Sequence, residues 1–423
     1  MASYQRRIID DELDALLPAL PALAINGPRG VGKTATATER AKTVIRLDRP
    51  AVLAIHDADP ERVTRAASPV LIDEWQRLPP VWDVVRRAVD DGAAPGSFLL
   101  TGSASPTTAP AHTGAGRIVS LRLRPLSLAE RGLDPTTVSV AALLRGEHPE
   151  IGGETPLRIT EYAEEIVASG FPGIRPLPPR ARRAQLDGYL DLVVERDFPE
   201  QGHLVRRPSL LRGWLRAYAG AVSSTAGYST IIDAATPGDA EKPAKTTTIA
   251  YRDVLSQLWL LDPVEAWTPR EGVGVRLVKG PKHQLADPAL AAHLLGLDAP
   301  ALLEGSGTAL GRPDTTILGP LFESLVTLSL KVYAQAAEAS VAHLRTHDGT
   351  HEVDLVVVRG DGRVVAVEVK LHQTVTDADV RHLTWLRDRL GDRLLDAVVI
   401  TTGGEAYRRR DGVAVVPAAL LGP

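Results

Sequence analysis

The chain has 423 residues, 44% of them hydrophobic and 24% charged, with a formal net charge of −4 and no cysteine. That length suits about three domains with real cores, and the missing cysteine excludes disulfides and cysteine-ligated zinc or iron–sulfur centres. Near-neutral charge leaves any nucleic-acid contact to a local patch. No apolar run reaches the eighteen or so residues of a membrane span, and Met1–Asp14 lacks a signal-peptide core. A cytoplasmic protein without membrane contact is the expectation.

In chain order, Ala22-Leu23-Ala24-Ile25-Asn26 reads as a short buried strand and Thr34–Ala41 as a helix. Between them lies Gly27-Pro28-Arg29-Gly30-Val31-Gly32-Lys33-Thr34, which fits the G-x-x-x-x-G-K-[ST] phosphate-binding loop. Its glycines allow a tight turn whose N–H groups point inward, at a positive helix end. Lys33 is expected to neutralise the β- and γ-phosphates of ATP, and Thr34 to ligate Mg²⁺. Pro69-Val70-Leu71-Ile72-Asp73-Glu74 is an apolar strand ending in two carboxylates. Asp73 is expected to hold Mg²⁺ and Glu74 to polarise the attacking water. A third strand, Ser97–Ser103, ends in Thr101-Gly102-Ser103. Thr101 and Ser103 are candidates for sensing the γ-phosphate or the water. Arg117 is a candidate arginine finger for the nucleotide of a neighbouring subunit, which would make a homo-oligomer, although a surface arginine is the favoured reading.

Residues 1–132 thus read as a parallel α/β domain, and 133–158 as a connector rich in Pro, Gly and Thr. Residues 159–304 read as helical, with nine arginines against five carboxylates between 171 and 216. A solvated helical face is the favoured reading of that excess, ahead of a phosphate-backbone contact. A winged helix fits 209–290: helices at Leu210–Ala221 and Thr246–Leu261, with wing strands at Val264–Trp267 and Val275–Val278. Nine basic and eight acidic residues there favour a packing or protein-partner role over DNA. Gly305–Pro313 reads as a polar linker.

Residues 314–423 carry a second acidic pattern. His351–Val358 and Val364–Lys370 read as a hairpin around an Asp361-Gly362 turn. Alternation puts Glu368 and Lys370 on one face, within reach of Asp354, and Val365, Val367 and Val369 in the core. Two carboxylates and a lysine fit metal-assisted phosphodiester hydrolysis with Mg²⁺ or Mn²⁺. Asp354 and Glu368 would be the ligands, and Lys370 would orient water or stabilise the transition state. Glu323, in the first turn of a helix begun at Pro320, is a further candidate ligand. A plain ion-pair cluster is the competing reading. His343, His347, His351, His372 and His382 read as polar surface residues.

With these motifs, and with Leu71–Gln76, Arg124–Glu130, Gly170-Phe171-Pro172, Arg196-Asp197 and Phe322-Glu323, the chain resembles a prokaryotic family. Its members join an N-terminal AAA-type ATPase to a C-terminal restriction-endonuclease-like (PD-(D/E)xK) domain of unknown function. The resemblance implies ATP binding, a winged-helix-like middle and a nuclease-like C-terminus. The Ser223–Lys245 stretch departs from it as an insertion. Two roles follow: a nucleotide-controlled switch for a nuclease-like domain on DNA or RNA, or a regulatory ATPase that gates protein partners through a catalytically silent nuclease fold.

Overall fold

The computed structural model describes residues 4–103, 115–203, 207–236, 245–269, 274–278, 280–310 and 312–423. Helix α1 (Ile9–Leu16) precedes strand β1 (Ala22–Asn26). Then come α2 (Lys33–Thr38), β2 (Thr43–Arg46), α3 (Pro50–Ala58), β3 (Val70–Asp73), α4 (Pro80–Asp90), β4 (Phe98–Gly102) and β5 (Val119–Arg122). The strands form a parallel sheet in the order β2-β3-β4-β1-β5. Ala22–Ile25, Val70–Ile72, Leu99 and Leu100 are wholly buried, so continuous apolar runs mark these strands. β1 lies between β4 and β5. The loop after it therefore opens at the sheet's carboxyl edge between β4 and β5, the edge where open α/β sheets bind ligands.

The middle of the chain holds β6 (Val138–Ser139), α5 (Val140–Arg145), α6 (Ile159–Ala168) and α7 (Pro179–Leu192). A π-helical turn (Val193–Asp197) extends α7 into α8 (Phe198–Glu200). Next are α9 (Pro208–Gly220), α10 (Tyr228–Ala235), α11 (Lys245–Gln257), β7 (Glu265–Ala266), α12 (Pro288–Leu295) and α13 (Ala299–Leu303). Pro179, Pro208 and Pro288 open their helices, where a missing N–H is no loss. α11 stops at Gln257, short of the expected Leu261, because Trp259 takes a left-handed φ of 60°.

The expected wing is corrected. Glu265–Ala266 pairs in parallel with a strand of the C-terminal sheet, and Leu277 bridges Thr346 of that same strand region. Leu261 and Val264 are instead bridged to Leu285 and Lys282. The two segments thus serve the C-terminal sheet and are not paired with each other among the described residues. Three of the nine arginines are seen in ion pairs among the described residues. Arg175 meets Glu165, Arg196 meets Glu200, and Arg212 meets Asp191 and Glu195. Arg206 lies outside the described residues.

The C-terminal part contains β8 (Thr308–Ala309), β9 (Arg312–Thr316), α14 (Leu318–Ala336), β10 (Ser340–Arg345), β11 (Glu352–Val358), β12 (Val364–Val369), α15 (Asp377–Leu390), β13 (Leu394–Thr401), β14 (Tyr407–Arg408), β15 (Ala414–Pro417) and β16 (Leu421–Gly422). The segment expected as a linker enters the β8–β9 hairpin instead. The main sheet is mixed, in the order β14-β15-β13-β12-β11-β10-β7. Val365 and Val367 pack with Leu321 and Phe322 of α14. Val364 and Ala366 pack with Val380 and Leu383 of α15. Both faces are therefore covered, which strict alternation alone does not announce. The connector is stitched to this part: β6 pairs with β16, Glu154 bridges Glu405, and Arg359 donates to the Leu144 carbonyl at 2.6 Å.

His343 corrects the surface reading of the histidines. It is fully buried, with Nε2 2.9 Å from the Gly280 carbonyl. Burial, helped by nearby Lys282, pushes its pKa down to about 4 from an ordinary 6.5. The unfolded chain therefore takes up the proton first as pH falls, so His343 favours folding above pH 6.5 and this is lost towards pH 4. The loss from this one group is about 3 kcal/mol. Urea midpoints should accordingly fall more steeply between pH 7 and 4.5 in the wild type than in His343→Gln; parallel profiles would refute the assignment.

Candidate functional site

Two clusters hold the residues singled out by sequence. The first is the loop from Gly27 to Thr34 between β1 and α2. Gly30 and Gly32 adopt φ of 78° and 106°, and a Cβ on Gly27 would strike the Leu123 carbonyl beside β5. Lys33 is buried and donates from Nζ to the carbonyls of Gly27 and Pro28, 2.8 Å each. Burial lowers its pKa to about 8 against the opposing pull of Glu74 and Asp73. Thr34 Oγ1 donates to Asp73 Oδ1 at 2.8 Å.

β3 and β4 place Asp73 and Thr101 side by side in register. Thr101 Oγ1 donates to the same Asp73 oxygen at 2.5 Å. The Thr101 hydroxyl therefore meets the strand-end carboxylate of Asp73. Ser103 likewise turns to Glu74, donating to Oε2 at 2.9 Å, and Gln76 Nε2 donates to that oxygen at 2.5 Å. Glu74 itself sits at φ 57°, a costly conformation for a residue with a side chain. Gly102 lets this turn approach: a Cβ there would lie 2.9 Å from Trp75 Nε1.

The middle region covers the loop. Arg29 pairs with Asp197 of the π-helical turn at 3.1 Å, and Phe171 and Pro172 lie about 4.0 Å from where Cβ atoms on Gly30 and Gly32 would be. Arg7 donates to the Val31 carbonyl at 3.1 Å while paired with Glu130. Arg117 is elsewhere. It is exposed, paired with Asp90 at 2.8 Å, and precedes β5. In a parallel sheet that is the amino edge, roughly a strand length (~17 Å) from the loop, so it takes no part in this chain's own nucleotide site.

The second cluster lies where β11, β12 and α14 meet. Asp354 Oδ2 accepts the Val369 N–H at 3.0 Å. Lys370 donates to Glu368 Oε2 at 2.9 Å. At the centre stands Lys282, which sequence reading missed. Its Nζ is 2.8 Å from Glu323 Oε1, 3.3 Å from Asp354 Oδ1 and 3.6 Å from Glu352 Oε1. Nothing local in Gly280-Pro281-Lys282-His283 signals this, because its partners lie 41 and 72 residues away. Burial pushes Glu323 up to about 8, and burial together with the Asp354 charge pushes Glu368 well above the usual carboxylate range. Burial would also raise Asp354, but Lys282, Lys370 and the Val369 N–H hold it at about 2.

Residues 20–131 match the family model of an AAA domain. Residues 159–301 and 318–421 match two domains of unknown function, DUF8612 and DUF4143. The chain is 28% identical to the uncharacterized proteins Mb2031c of Mycobacterium bovis and Rv2008c of Mycobacterium tuberculosis, over 98% of this chain and 84% of theirs. The Walker-type ATPase PABY2304 of Pyrococcus abyssi is similar in structure, with TM-score 0.41 and 18% identity over 69% of this chain and 96% of that one. No helix among the described residues is long and apolar enough to cross a membrane.

The two clusters differ in their fitness for a metal. In the ATPase domain the Thr34 hydroxyl spends its proton on Asp73 and keeps its lone pairs free, as an Mg²⁺ ligand must. The C-terminal cluster does not fit Mg²⁺ or Mn²⁺. One carboxylate oxygen each of Glu323 and Asp354 already accepts from Lys282, whose ammonium lies between them, although Glu368 Oε1 is without a hydrogen-bond partner, and the described residues contain no metal-competent group of three or more His, Asp or Glu.

Proposed function

We propose that this chain is a Mg²⁺-dependent ATPase whose nucleotide state is passed through the middle region to a nuclease-like C-terminal domain. The observation that carries the reading is the pair of oriented carboxylates at the carboxyl edge: Asp73, fixed by Thr34 and Thr101, and Glu74, fixed by Gln76 and Ser103. Lys33 leaves the Gly27 and Pro28 carbonyls to meet the β- and γ-phosphates, and the loop N–H groups receive the rest of the phosphate charge. Thr34 and Asp73 would hold a Mg²⁺, which would supply charge stabilisation for the phosphoryl oxygens. Glu74 polarises the attacking water. Arg29 carries the state outward, because it belongs to the loop and pairs with Asp197 beyond it.

The mixed sheet and the Asp354, Glu368 and Lys370 set support the nuclease-like reading of the C-terminal domain. Of its two roles, cleavage of DNA or RNA and gating of protein partners by a catalytically silent fold, Lys282 favours the second. It stands where a metal-dependent nuclease needs its ion. The ATPase claim is tested by turnover with Mg²⁺. Wild type should exceed Lys33→Ala clearly, and equal rates would remove the claim.

A further inference from the structure

Lys282 is 1% exposed in its side chain, and an ammonium group has three protons to place. Glu323 Oε1 at 2.8 Å, and Asp354 Oδ1 and the Asp354 carbonyl at 3.3 Å each, take them. Asp354 Oδ2 accepts from Val369 and Glu368 Oε2 from Lys370, while Glu368 Oε1 is buried without a hydrogen-bond partner. A divalent cation requires such oxygens at about 2.0–2.6 Å with room for its waters. Nor is the lysine on a swinging arm. Its N–H and C=O both bond Val264, at 2.8 and 2.9 Å, and the next residue, His283, exchanges backbone hydrogen bonds with Ser223 and Ser224 at 2.8 Å each.

We propose that the Lys282 ammonium is the resident cation of this carboxylate cluster, so that the C-terminal domain is held together without a divalent metal and binds none there. The inference deepens the silent reading of that domain and rests on it. The lysine takes the ion's electrostatic place: its single charge lies within 4 Å of Glu323, Glu352 and Asp354 where α14, β11 and the 280–285 segment converge. It also forbids the ion's chemistry, because an ammonium neither ligates water nor lowers its pKa.

The test is Mn²⁺ binding by the full-length protein without nucleotide, read as loss of the free-ion paramagnetic resonance signal. Wild type and Asp354→Asn should give the same titration. Lys282→Ala should gain a site at least about tenfold tighter than anything in the wild type, because metal affinity follows the carboxylates it uncovers. That gain should vanish in the Lys282→Ala, Asp354→Asn double variant. Wild-type binding that Asp354→Asn removes would overturn the proposal, and so would a folded Lys282→Ala that gains no site. If Lys282→Ala does not fold, the wild type against Asp354→Asn still decides. Metal-dependent cleavage of DNA or RNA, abolished by Asp354→Asn, would instead sink the silent reading itself, and ATP turnover is independent of both results.

Discussion

Glu74→Gln is expected to bind ATP close to the wild-type level and to lower kcat by about 100-fold or more, the usual yield of a positioned acid–base group. The substitution keeps the side chain's length and an oxygen for Gln76 and Ser103 to hold, and it keeps the left-handed backbone cost at position 74. What it removes is the charge that polarises water. The loss should therefore fall on kcat with KM little changed, the pattern of an interaction made only in the transition state. Steady-state turnover with Mg²⁺, beside equilibrium binding of a fluorescent ATP analogue, separates the two. A variant that turns over as fast as wild type would show that Glu74 is held for another reason.

Asp262→Asn carries the largest expected cost in stability, about 3–5 kcal/mol. Asp262 is 6% exposed and answers three cations: Arg124 and Lys331 at 2.8 Å each and Arg122 at 3.1 Å. Burial would raise its carboxyl, but these three charges hold it well below the usual range. Removing the carboxylate leaves buried positive charge with no counter-ion. Asparagine can still accept one hydrogen bond, so the loss is electrostatic rather than a matter of shape. Urea unfolding should report it, and a cost under about 1 kcal/mol would mean that the cations find other partners. By the same linkage the wild type keeps this stabilisation at neutral pH and loses it as acid protonates Asp262. Arg122 and Arg124 close the strand beside β1, while Lys331 belongs to α14, so one carboxylate ties the ATPase domain to the C-terminal part.

Much of the first cluster was legible because it is local. A strand, eight loop residues and a helix start carry the phosphate site, and a buried run ending in Asp73-Glu74 carries the acidic one. The Thr101 hydrogen bond to Asp73 was not legible, since it is set by register across two strands. The C-terminal hairpin was legible from its period and its turn: Glu352–Val358 and Val364–Val369 pair around Gly362, whose φ is 90°. Its central feature was not. Lys282 lies in a segment with no periodic pattern, and its partners come from a helix and a strand far along the chain. The wing strands failed for the same reason. Val264–Trp267 looks like half of a hairpin, yet its neighbour is β10.

The pairing of β6 with β16 bears on how the chain assembles as it is made. These strands are roughly 280 residues apart, and loop closure over such a span is slow and late. The five-stranded sheet is complete by Arg122, so its contacts can form while the remainder is still on the ribosome. Val138–Ser139 has no such option, because its partner strand emerges roughly 280 residues later. Throughout that interval the apolar side chains of Val138, Val140, Leu143 and Leu144, buried at the end, await cover. The stretch that looks like a passive tether is therefore the part of this protein that a holdase chaperone has most reason to meet.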